Sequence, residues 1–234
     1  MDGFLLIDKP TGWTSFDVVA RVRGIVKSET GQKIKIGHTG TLDPAATGLL
    51  ILVLGKYTKR AAEFSKLDKT YEAELTLGAV SSTGDVEGDI ILKSAQKPSQ
   101  QAVEGVLNIF LGPISQIPPQ YSAVKIDGQR AYKAARAGKT VAIEPRQVKI
   151  YEITNVKYDY PKLSFTVSVS SGTYIRSLAA DIGEKLGTGA YLSALRRTQV
   201  GKFDLTHALE ISNLSLSNIQ NHLQNSKIIV KSSK

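Results

Sequence analysis

One carboxylate, Asp43, lies in a turn-rich segment of twelve residues, 37–48, that reads GHTGTLDPAATG. Its three glycines and three threonines favour tight turns and unusual backbone conformations. The next six residues, 49–54, are all apolar and predict a fully buried strand. A loop of this composition on a rigid strand is a typical place for a catalytic side chain, so Asp43 is the first candidate.

The Asp43-Pro44 pair also has a purely structural interpretation. Asp is a common N-cap residue and Pro is common at the first helical position, so the pair predicts a helix that begins at Pro44. Taken alone, these two residues favour that helix start. The twelve-residue context favours the catalytic interpretation.

The composition is that of an ordinary globular protein. A chain of 234 residues forms one large domain, or one domain with a small appendage, and a hydrophobic content of 41% is typical of soluble proteins. Cysteine is absent, which excludes disulfides, thiolate zinc sites and cysteine nucleophiles. We find neither an apolar run of membrane length nor the pattern of a signal peptide, and we expect a cytoplasmic protein.

The net charge of +9 and the pI of 9.6 suggest a polyanionic partner, although a positive charge also serves solubility alone. Between residues 116 and 151, seven basic residues are opposed by only two acidic ones, and three tyrosines are interleaved. Basic side chains with aromatic rings between them suit a structured RNA surface. The seven are Lys125, Arg130, Lys133, Arg136, Lys139, Arg146 and Lys149.

Hydrophobic periodicity predicts a mixed α+β domain with a largely antiparallel sheet. Ser15 is the expected N-cap of the first helix, whose outer face would carry Arg21, Arg23 and Lys27. Residues 78–88 read as a turn-rich loop without a clear period. Helices are predicted over residues 15–29, 99–111, 129–136 and 174–186. Strands are predicted over residues 1–8, 49–54, 70–77, 122–126, 148–158, 163–170 and 190–199.

The segment around Asp43 closely resembles the catalytic motif of the TruB-type tRNA pseudouridine synthases. Further motifs of that family follow in the family's order, so that the resemblance covers about residues 3–205. Each short motif is weak alone, but the ordered set is specific. The motifs are KPTGWTS at 9–15, KTY at 69–71, SGTYIR at 171–176, LRRT at 195–198 and VGKF at 200–203.

The resemblance implies the pseudouridine synthase fold, which has a mixed, largely antiparallel central sheet with flanking helices. It also implies an enzyme that isomerises the T-loop uridine at tRNA position 55. Such an enzyme must cut the C–N glycosidic bond, turn the base and rejoin it through carbon. Asp43 is then the nucleophile that forms a covalent adduct, and whether it attacks the sugar or the base stays open.

The nucleophile must be ionised, and a dry environment would raise the pKa of its carboxyl, so a cation has to offset burial. By its place in the motif, the resemblance assigns this supporting role to Arg176, whose planar group can hold a carboxylate through two hydrogen bonds. Tyr71 would support catalysis by stacking under the target base. Because Tyr71 lies on the apolar face of its strand, ordinary core packing is an alternative.

Three more residues are expected to bind the substrate. Tyr174 would line the pocket and Leu195 would close it as an apolar lid, with core packing as the alternative for both. His38 matches the family histidine that takes the place of the flipped uridine. A general base or a metal ligand is the alternative for His38, but one histidine beside one carboxylate is too few for a metal site. We therefore expect no metal and no cofactor.

The insertion over residues 113–147 resembles the family's thumb, which closes over the T-stem loop of the tRNA substrate. Its basic residues would contact phosphates, which position the RNA without specifying its sequence. The expected contacts with the RNA backbone are Lys9, Lys125, Arg130, Lys133, Arg136 and Arg146.

We expect a catalytic domain over residues 1–205 and a tail over 206–234 that is too short for the RNA-binding domain of many relatives. This predicts a monomeric, stand-alone enzyme with no obligatory protein partner and no membrane association. Two other functions stay open. One is a non-catalytic module that binds and folds tRNA. The other is a sugar hydrolase, which requires a second carboxylate about 5–10 Å from the first; no paired acidic motif near Asp43 suggests one.

Overall fold

In the computed structural model, the description covers residues 1–122, 124–126, 129–136, 138 and 141–225, without the side chains of 125, 126, 129, 130, 132, 133 and 136. The helices are α1 Ser15–Thr30, α2 Ala61–Ser65, α3 Gln100–Ile109, α4 Ala131–Arg136, α5 Ile175–Lys185 and α6 Leu216–His222. Short 3-10 helices span Gly55–Arg60 and Ile211–Asn213. None of the helices in these ranges is long and apolar enough to cross a membrane.

Fourteen strands are found in the described ranges. The first seven are β1 Gly3–Lys9, β2 Ile36–His38, β3 Thr47–Leu54, β4 Lys69–Leu77, β5 Ala79–Ser81, β6 Ile90–Leu92 and β7 Gly112–Gln116. The others are β8 Lys125–Ile126, β9 Gln129–Arg130, β10 Arg146–Asp159, β11 Lys162–Val169, β12 Ala190–Val200, β13 Phe203–Asp204 and β14 Leu209–Glu210. Helices and largely antiparallel strands thus form the mixed α+β fold that the sequence predicts.

The chain divides into two compact units. Unit 1 consists of residues 1–71 and 196–234, and unit 2 of residues 72–195. The boundaries fall inside β4 and β12, so each of these strands contributes residues to both units.

The sheet of unit 1 has the strand order β14-β1-β3-β12. β1 and β3 are antiparallel over seven residue pairs, whereas β1 with β14 and β3 with β12 are parallel. One sheet face packs on an aromatic cluster in which the ring centroids of Phe64 and Phe203 each lie 5.1 Å from that of Phe4. β3 is almost fully buried, as its unbroken apolar sequence predicts, and it gives the loop before it a rigid support.

The N-cap of helix α1 lies one residue earlier in the chain than expected. Thr14, not Ser15, is the N-cap: its hydroxyl accepts a hydrogen bond from the Asp17 N–H at 3.0 Å, and the Asp17 carboxylate accepts one from the Thr14 N–H at 2.9 Å. This reciprocal capping box satisfies two backbone donors of the first turn. Because Ser15 does not cap the helix, its buried side chain is available for another contact.

In unit 2 the strand order is β4-β11-β10-β7, with β10 and β11 forming the predicted antiparallel hairpin. Helices α3 and α5 contribute Val103, Leu107, Leu178 and Ile182 to the buried residues. Two local predictions are wrong. The loop predicted over 78–88 includes β5, which pairs with β6, and the helix expected from 129 begins at Ala131 because 129 and 130 pair with β8.

Candidate active site

The backbone around Asp43 is an irregular turn. The Ala46 N–H donates to the Asp43 carbonyl at 3.1 Å, which places Pro44 and Ala45 at the centre of a four-residue turn. Proline suits the first central position of such a turn. Because no helix begins at Pro44, the helix-start interpretation of Asp43 is wrong. The Asp43 side chain is half-buried.

The residues on both sides of Asp43 are fixed by hydrogen bonds. The buried Ser15 hydroxyl accepts a hydrogen bond from the Leu42 N–H at 2.8 Å and donates to the Leu42 carbonyl at 3.0 Å. The Gly12 N–H donates to the Pro44 carbonyl at 2.8 Å. The segment KPTGWTS at 9–15 therefore holds the candidate catalytic loop from one side, and the position of Asp43 does not depend on its own side chain alone.

Lys9 belongs to this support and is not a surface residue. Its side chain is completely buried, and its ammonium group donates to the carbonyls of Pro10, Trp13 and Pro44 at 2.9, 2.7 and 3.3 Å. The expected contact of Lys9 with the RNA backbone is therefore wrong, because the side chain has no surface to offer a phosphate. The sequence did not reveal this burial, since lysine is rarely buried.

Arg197 holds the same loop from the other side. It is 3% exposed, and its guanidinium donates to the carbonyls of Leu49 at 2.7 Å and of Gly40 at 3.1 Å. Gly48 makes this approach possible, since a Cβ there would lie 2.3 Å from the Arg197 carbonyl oxygen. Sequence reasoning missed this role, because an arginine on a strand gives no signal of burial.

Replacing Arg197 tests how far the loop depends on this anchor. Arg197→Met leaves two carbonyls without their charged donor, and we expect it to lower the free energy of unfolding by about 2–4 kcal/mol, because each hydrogen bond to a charged group is worth about 1.5–3 kcal/mol. Arg197→Lys keeps the charge but cannot serve both carbonyls from one fork, so it should lose less stability and still lower turnover. Urea unfolding and single-turnover kinetics measure the two effects.

The neighbouring Arg196 offers the matched control. Its side chain is 37% exposed and pairs with Asp8 at 2.6 Å, so Arg196→Lys should change stability by less than about 1 kcal/mol. Equal losses of turnover in Arg196→Lys and Arg197→Lys would contradict a specific anchoring role for Arg197.

Tyr71 is 8% exposed on β4, close in sequence to a second buried cation. The ammonium group of Lys69 donates to the carbonyls of Ser65 at 2.6 Å and Leu67 at 2.5 Å. Burial, and then the charge of Arg197, lower the pKa of Lys69 to about 8, while Asp68 acts in the opposite direction. These contacts fix the start of β4. The stacking role of Tyr71 stays a prediction, and core packing stays its alternative.

His38 lies at the end of β2, where it is paired in register with Leu52 of β3, and its side chain is half-buried. It leads directly into the candidate catalytic loop, whose next residue, Thr39, is buried and donates its N–H to the Ile51 carbonyl at 3.1 Å. Within the residues described, no group of three or more His, Cys, Asp or Glu side chains could hold a metal ion. The role of His38 stays a prediction.

In unit 2, Arg176 is 7% exposed and its guanidinium is held in one orientation. Nη1 donates to the Thr83 carbonyl at 3.1 Å and lies 3.6 Å from Oδ2 of Asp85, and Nη2 donates to the Tyr121 carbonyl at 2.8 Å. Arg176 and Asp43 belong to different units, and the pairing implied for them stays a prediction.

Asp85 is a functional candidate that sequence reasoning missed. It is 5% exposed, and its Oδ1 accepts hydrogen bonds from the Thr83 hydroxyl at 2.6 Å and the Glu87 N–H at 3.1 Å. The other carboxylate oxygen of Asp85, Oδ2, faces Arg176. The sequence shows Asp85 only as a carboxylate between two glycines in a loop without periodicity. An ordinary surface turn has the same pattern, so the sequence alone did not mark Asp85 as functional.

Gln116 holds the segment that carries Tyr174. It is 2% exposed, and its amide accepts a hydrogen bond from the Tyr174 N–H at 2.8 Å and donates to the Tyr174 carbonyl at 3.1 Å. Tyr174 itself is half-buried and packs on a small cluster with Val124 and Ile143. Gln116 therefore fixes the start of α5, from which Arg176 projects.

Leu195 is half-buried on β12.

The expected contacts with the RNA backbone are only partly visible. Arg146 is exposed at the start of β10, as a phosphate contact requires. The side chains of Lys125, Arg130, Lys133 and Arg136 lie outside the described part of the structure. Their contacts with RNA stay predictions.

Comparison with known families decides the relationship of this chain. Residues 27–175 match the family model described as TruB family pseudouridylate synthase (N terminal domain), and residues 176–228 match the model of the tRNA pseudouridylate synthase B C-terminal domain. The chain belongs to the TruB family. The candidate catalytic loop lies in the part covered by the first model, and the match to the second begins at Arg176.

Curated relatives in the TruB family are similar over most of this chain. The tRNA pseudouridine synthase B of Burkholderia lata is 46% identical over 215 residues, which are 92% of this chain and 65% of the relative. The protein of the same name from Cupriavidus metallidurans is 46% identical over 214 residues, 91% of this chain and 67% of the relative. The chain thus spans about two thirds of the length of these relatives.

A solved structure supports the fold of the TruB family chain. A chain in the crystal structure of a Cbf5-Nop10-Gar1 complex aligns with a TM-score of 0.69 and 32% identity, covering 91% of this chain and 53% of that one. The alignment includes nearly all of the present chain but only about half of the other. This similarity over nearly the whole chain confirms the mixed α+β fold, and membership of the TruB family of pseudouridylate synthases agrees with it.

Proposed function

We propose that this protein isomerises uridine to pseudouridine at position 55 in the T loop of tRNA, with Asp43 as the nucleophile. The observation that carries the proposal is the anchoring of the loop on both sides of Asp43, at Leu42 and at Pro44. A nucleophile held by its neighbours needs little reorganisation before reaction, which favours the reacting geometry. Membership of the TruB family and the names of the relatives support tRNA as the substrate.

In the proposed reaction the Asp43 carboxylate forms a covalent adduct with the sugar or the base of the flipped uridine. The glycosidic C–N bond breaks, the base turns and a C–C bond forms in its place. The bond between the substrate and Asp43 breaks again, which returns the free carboxylate. The proton on that carbon is then lost and a ring nitrogen gains one, so the product is an isomer of the substrate. No cofactor is needed for this balance, because nothing is oxidised or reduced.

The other side chains take supporting parts in the proposal. Arg176, held by Thr83, Tyr121 and Asp85, would supply the positive charge that favours an ionised nucleophile. Tyr71 would stack on the target base, and Tyr174 and Leu195 would line and close its pocket. His38 would take the place of the flipped uridine, whose extrusion costs a few kcal/mol.

We also propose the wider organisation expected from the sequence. Residues 1–205 would form the catalytic domain, with residues 113–147 closing over the T-stem loop and 206–234 as a tail. The protein would act as a monomer in the cytoplasm, without an obligatory protein partner. The basic character of the chain, with a net charge of +9, supports a polyanionic substrate.

The test is conversion of an unmodified tRNA transcript by the purified protein, followed by mapping of pseudouridine at single-nucleotide resolution. We expect conversion at position 55. If folded protein that binds the transcript forms no pseudouridine there, the proposed activity is wrong.

A further inference from the structure

We propose that the outer face of α1 and the loop after it bind the phosphate backbone of the RNA substrate, outside the insertion over 113–147. This proposal rests on the proposed tRNA substrate and extends its contact surface. We call this face the α1 basic surface. It consists of Arg21, Arg23, Lys27, Lys33 and Lys35.

The α1 basic surface carries positive charge that the protein itself does not neutralise. Residues 15–36 contain five basic residues and two acidic residues, Asp17 and Glu29, and all five basic side chains are exposed. The Asp17 carboxylate is occupied by the Thr14 N–H and hydroxyl. Within the described residues, Arg21, Lys27, Lys33 and Lys35 form no ion pair, whereas surface cations elsewhere, such as Arg60 and Lys162, are paired with carboxylates. Phosphates can therefore bind here without first displacing a carboxylate, which favours a polyanion as the occupant.

A glycine in the middle of the same helix leaves room for close approach by a partner. Gly24 lies between Arg23 and Lys27, it is exposed, and a Cβ at this position would meet no atom within 4 Å. Glycine is among the least favourable residues inside a helix, so its presence here needs a reason. Because the space around Gly24 is open, packing against the described residues does not supply that reason. An RNA backbone that lies against the helix does give one, since a missing side chain lets it approach the helix closely.

Hydrogen bonds connect helix α1 to the candidate catalytic loop and to the strand that precedes it. Arg23 donates to the Ile36 carbonyl at 3.1 Å, two residues before His38, and Ser15 at the start of α1 binds Leu42. Near the same end, Phe16 is 61% exposed, and the Arg23 guanidinium lies 6.0 Å from its ring centroid. RNA bound along α1 would thus be held in a fixed position relative to Asp43, and Phe16 offers an aromatic surface next to a cation.

The first experiment removes the charge. In the variant Arg21→Gln/Lys27→Gln/Lys33→Gln we expect the Kd for a tRNA transcript at about 0.1 M salt to rise tenfold or more. The slope of log K against log salt concentration should fall by about 2, since each phosphate contact contributes about 0.7–0.9. Turnover at saturating RNA should stay unchanged, because none of these side chains takes part in the chemistry.

The matched control Lys66→Gln/Lys93→Gln/Lys157→Gln removes three exposed charges elsewhere. Equal losses of affinity in the two triple variants, or an unchanged salt slope in the first, would overturn the proposal. So would a loss of binding to phosphatidylserine vesicles with RNA affinity intact, which would identify a lipid surface instead. If wild-type protein binds the transcript but does not convert it, the proposed function fails while the α1 basic surface is still tested by binding.

The second experiment tests close approach at Gly24. Gly24→Ala and the control Gly105→Ala each add a methyl group to an exposed mid-helix position that has open space. Both should raise the thermal midpoint by about 2–4 °C, because alanine favours the helix. Only Gly24→Ala should weaken RNA binding, by about threefold or more. An unchanged affinity in Gly24→Ala would show that RNA does not lie against this helix face, and would overturn the proposed contact.

Discussion

Asp43→Asn is expected to abolish pseudouridine formation while the fold and RNA binding are retained. An amide has nearly the shape of the carboxyl group but no negative oxygen with which to form the covalent adduct. Single-turnover conversion should fall to below about one thousandth of the wild-type rate, as removal of a nucleophile does in other covalent enzymes. The fold should persist, because the hydrogen bonds at Leu42 and Pro44 that anchor the loop do not use the Asp43 side chain.

Three measurements separate a loss of chemistry from a loss of RNA binding or of the fold. Conversion is followed by pseudouridine mapping, RNA affinity by filter binding, and stability by urea unfolding. Asp89→Asn, an exposed carboxyl in unit 2, is the control and should leave all three unchanged. Turnover of Asp43→Asn within tenfold of wild type would refute the nucleophile assignment. A tRNA-folding assay on the same variant separates a role in RNA folding from the chemistry.

The regular elements were predictable because their periods are strong. The unbroken apolar run of β3 and the alternation of β4 and of the β10–β11 hairpin lead directly to strands with nearly the predicted bounds. The helix over α1 was also predicted, but its cap was misplaced by one residue. Thr14 and Ser15 are both suitable as caps by residue type. Thr14 is the cap because Asp17 completes its capping box, while the Ser15 hydroxyl binds Leu42, which lies far away in sequence.

The candidate site was predictable only where a motif marks it. The resemblance led to Asp43 and Arg176, but the residues that hold them were missed or misassigned. Lys9 and Arg197 are charged and therefore suggest a surface position, yet both are buried against backbone carbonyls. Local sequence does not encode such burial, since some of the carbonyls that compensate the charge come from distant chain segments. These are Pro44 for Lys9, and Leu49 and Gly40 for Arg197.

Asp85 is another buried charged residue that local sequence did not reveal, and its replacement is expected to have a large effect on stability and turnover. Asp85 and Arg176 are both 7% exposed at the side chain, 3.6 Å apart, and removal of one partner from a buried ion pair costs about 3–5 kcal/mol of unfolding free energy. We expect Asp85→Asn to fall at the lower end of this range, because Arg176 keeps the Thr83 and Tyr121 carbonyls. Turnover should fall about 10²-fold, since even a small displacement of a positioning group has that effect.

A double-mutant cycle with Arg176→Met separates this pair from general damage to the fold. If the two side chains act together, Asp85→Asn/Arg176→Met should be less destabilised than the sum of the single variants by about 0.5–3 kcal/mol, and its turnover should be no lower than that of Arg176→Met alone. Glu74→Gln is the control, because its pair with Lys162 is 38% and 50% exposed and should be worth less than about 1 kcal/mol. Strictly additive losses in both stability and turnover would mean that Asp85 acts independently of Arg176, and the orientation of the guanidinium would then rest on the two carbonyls.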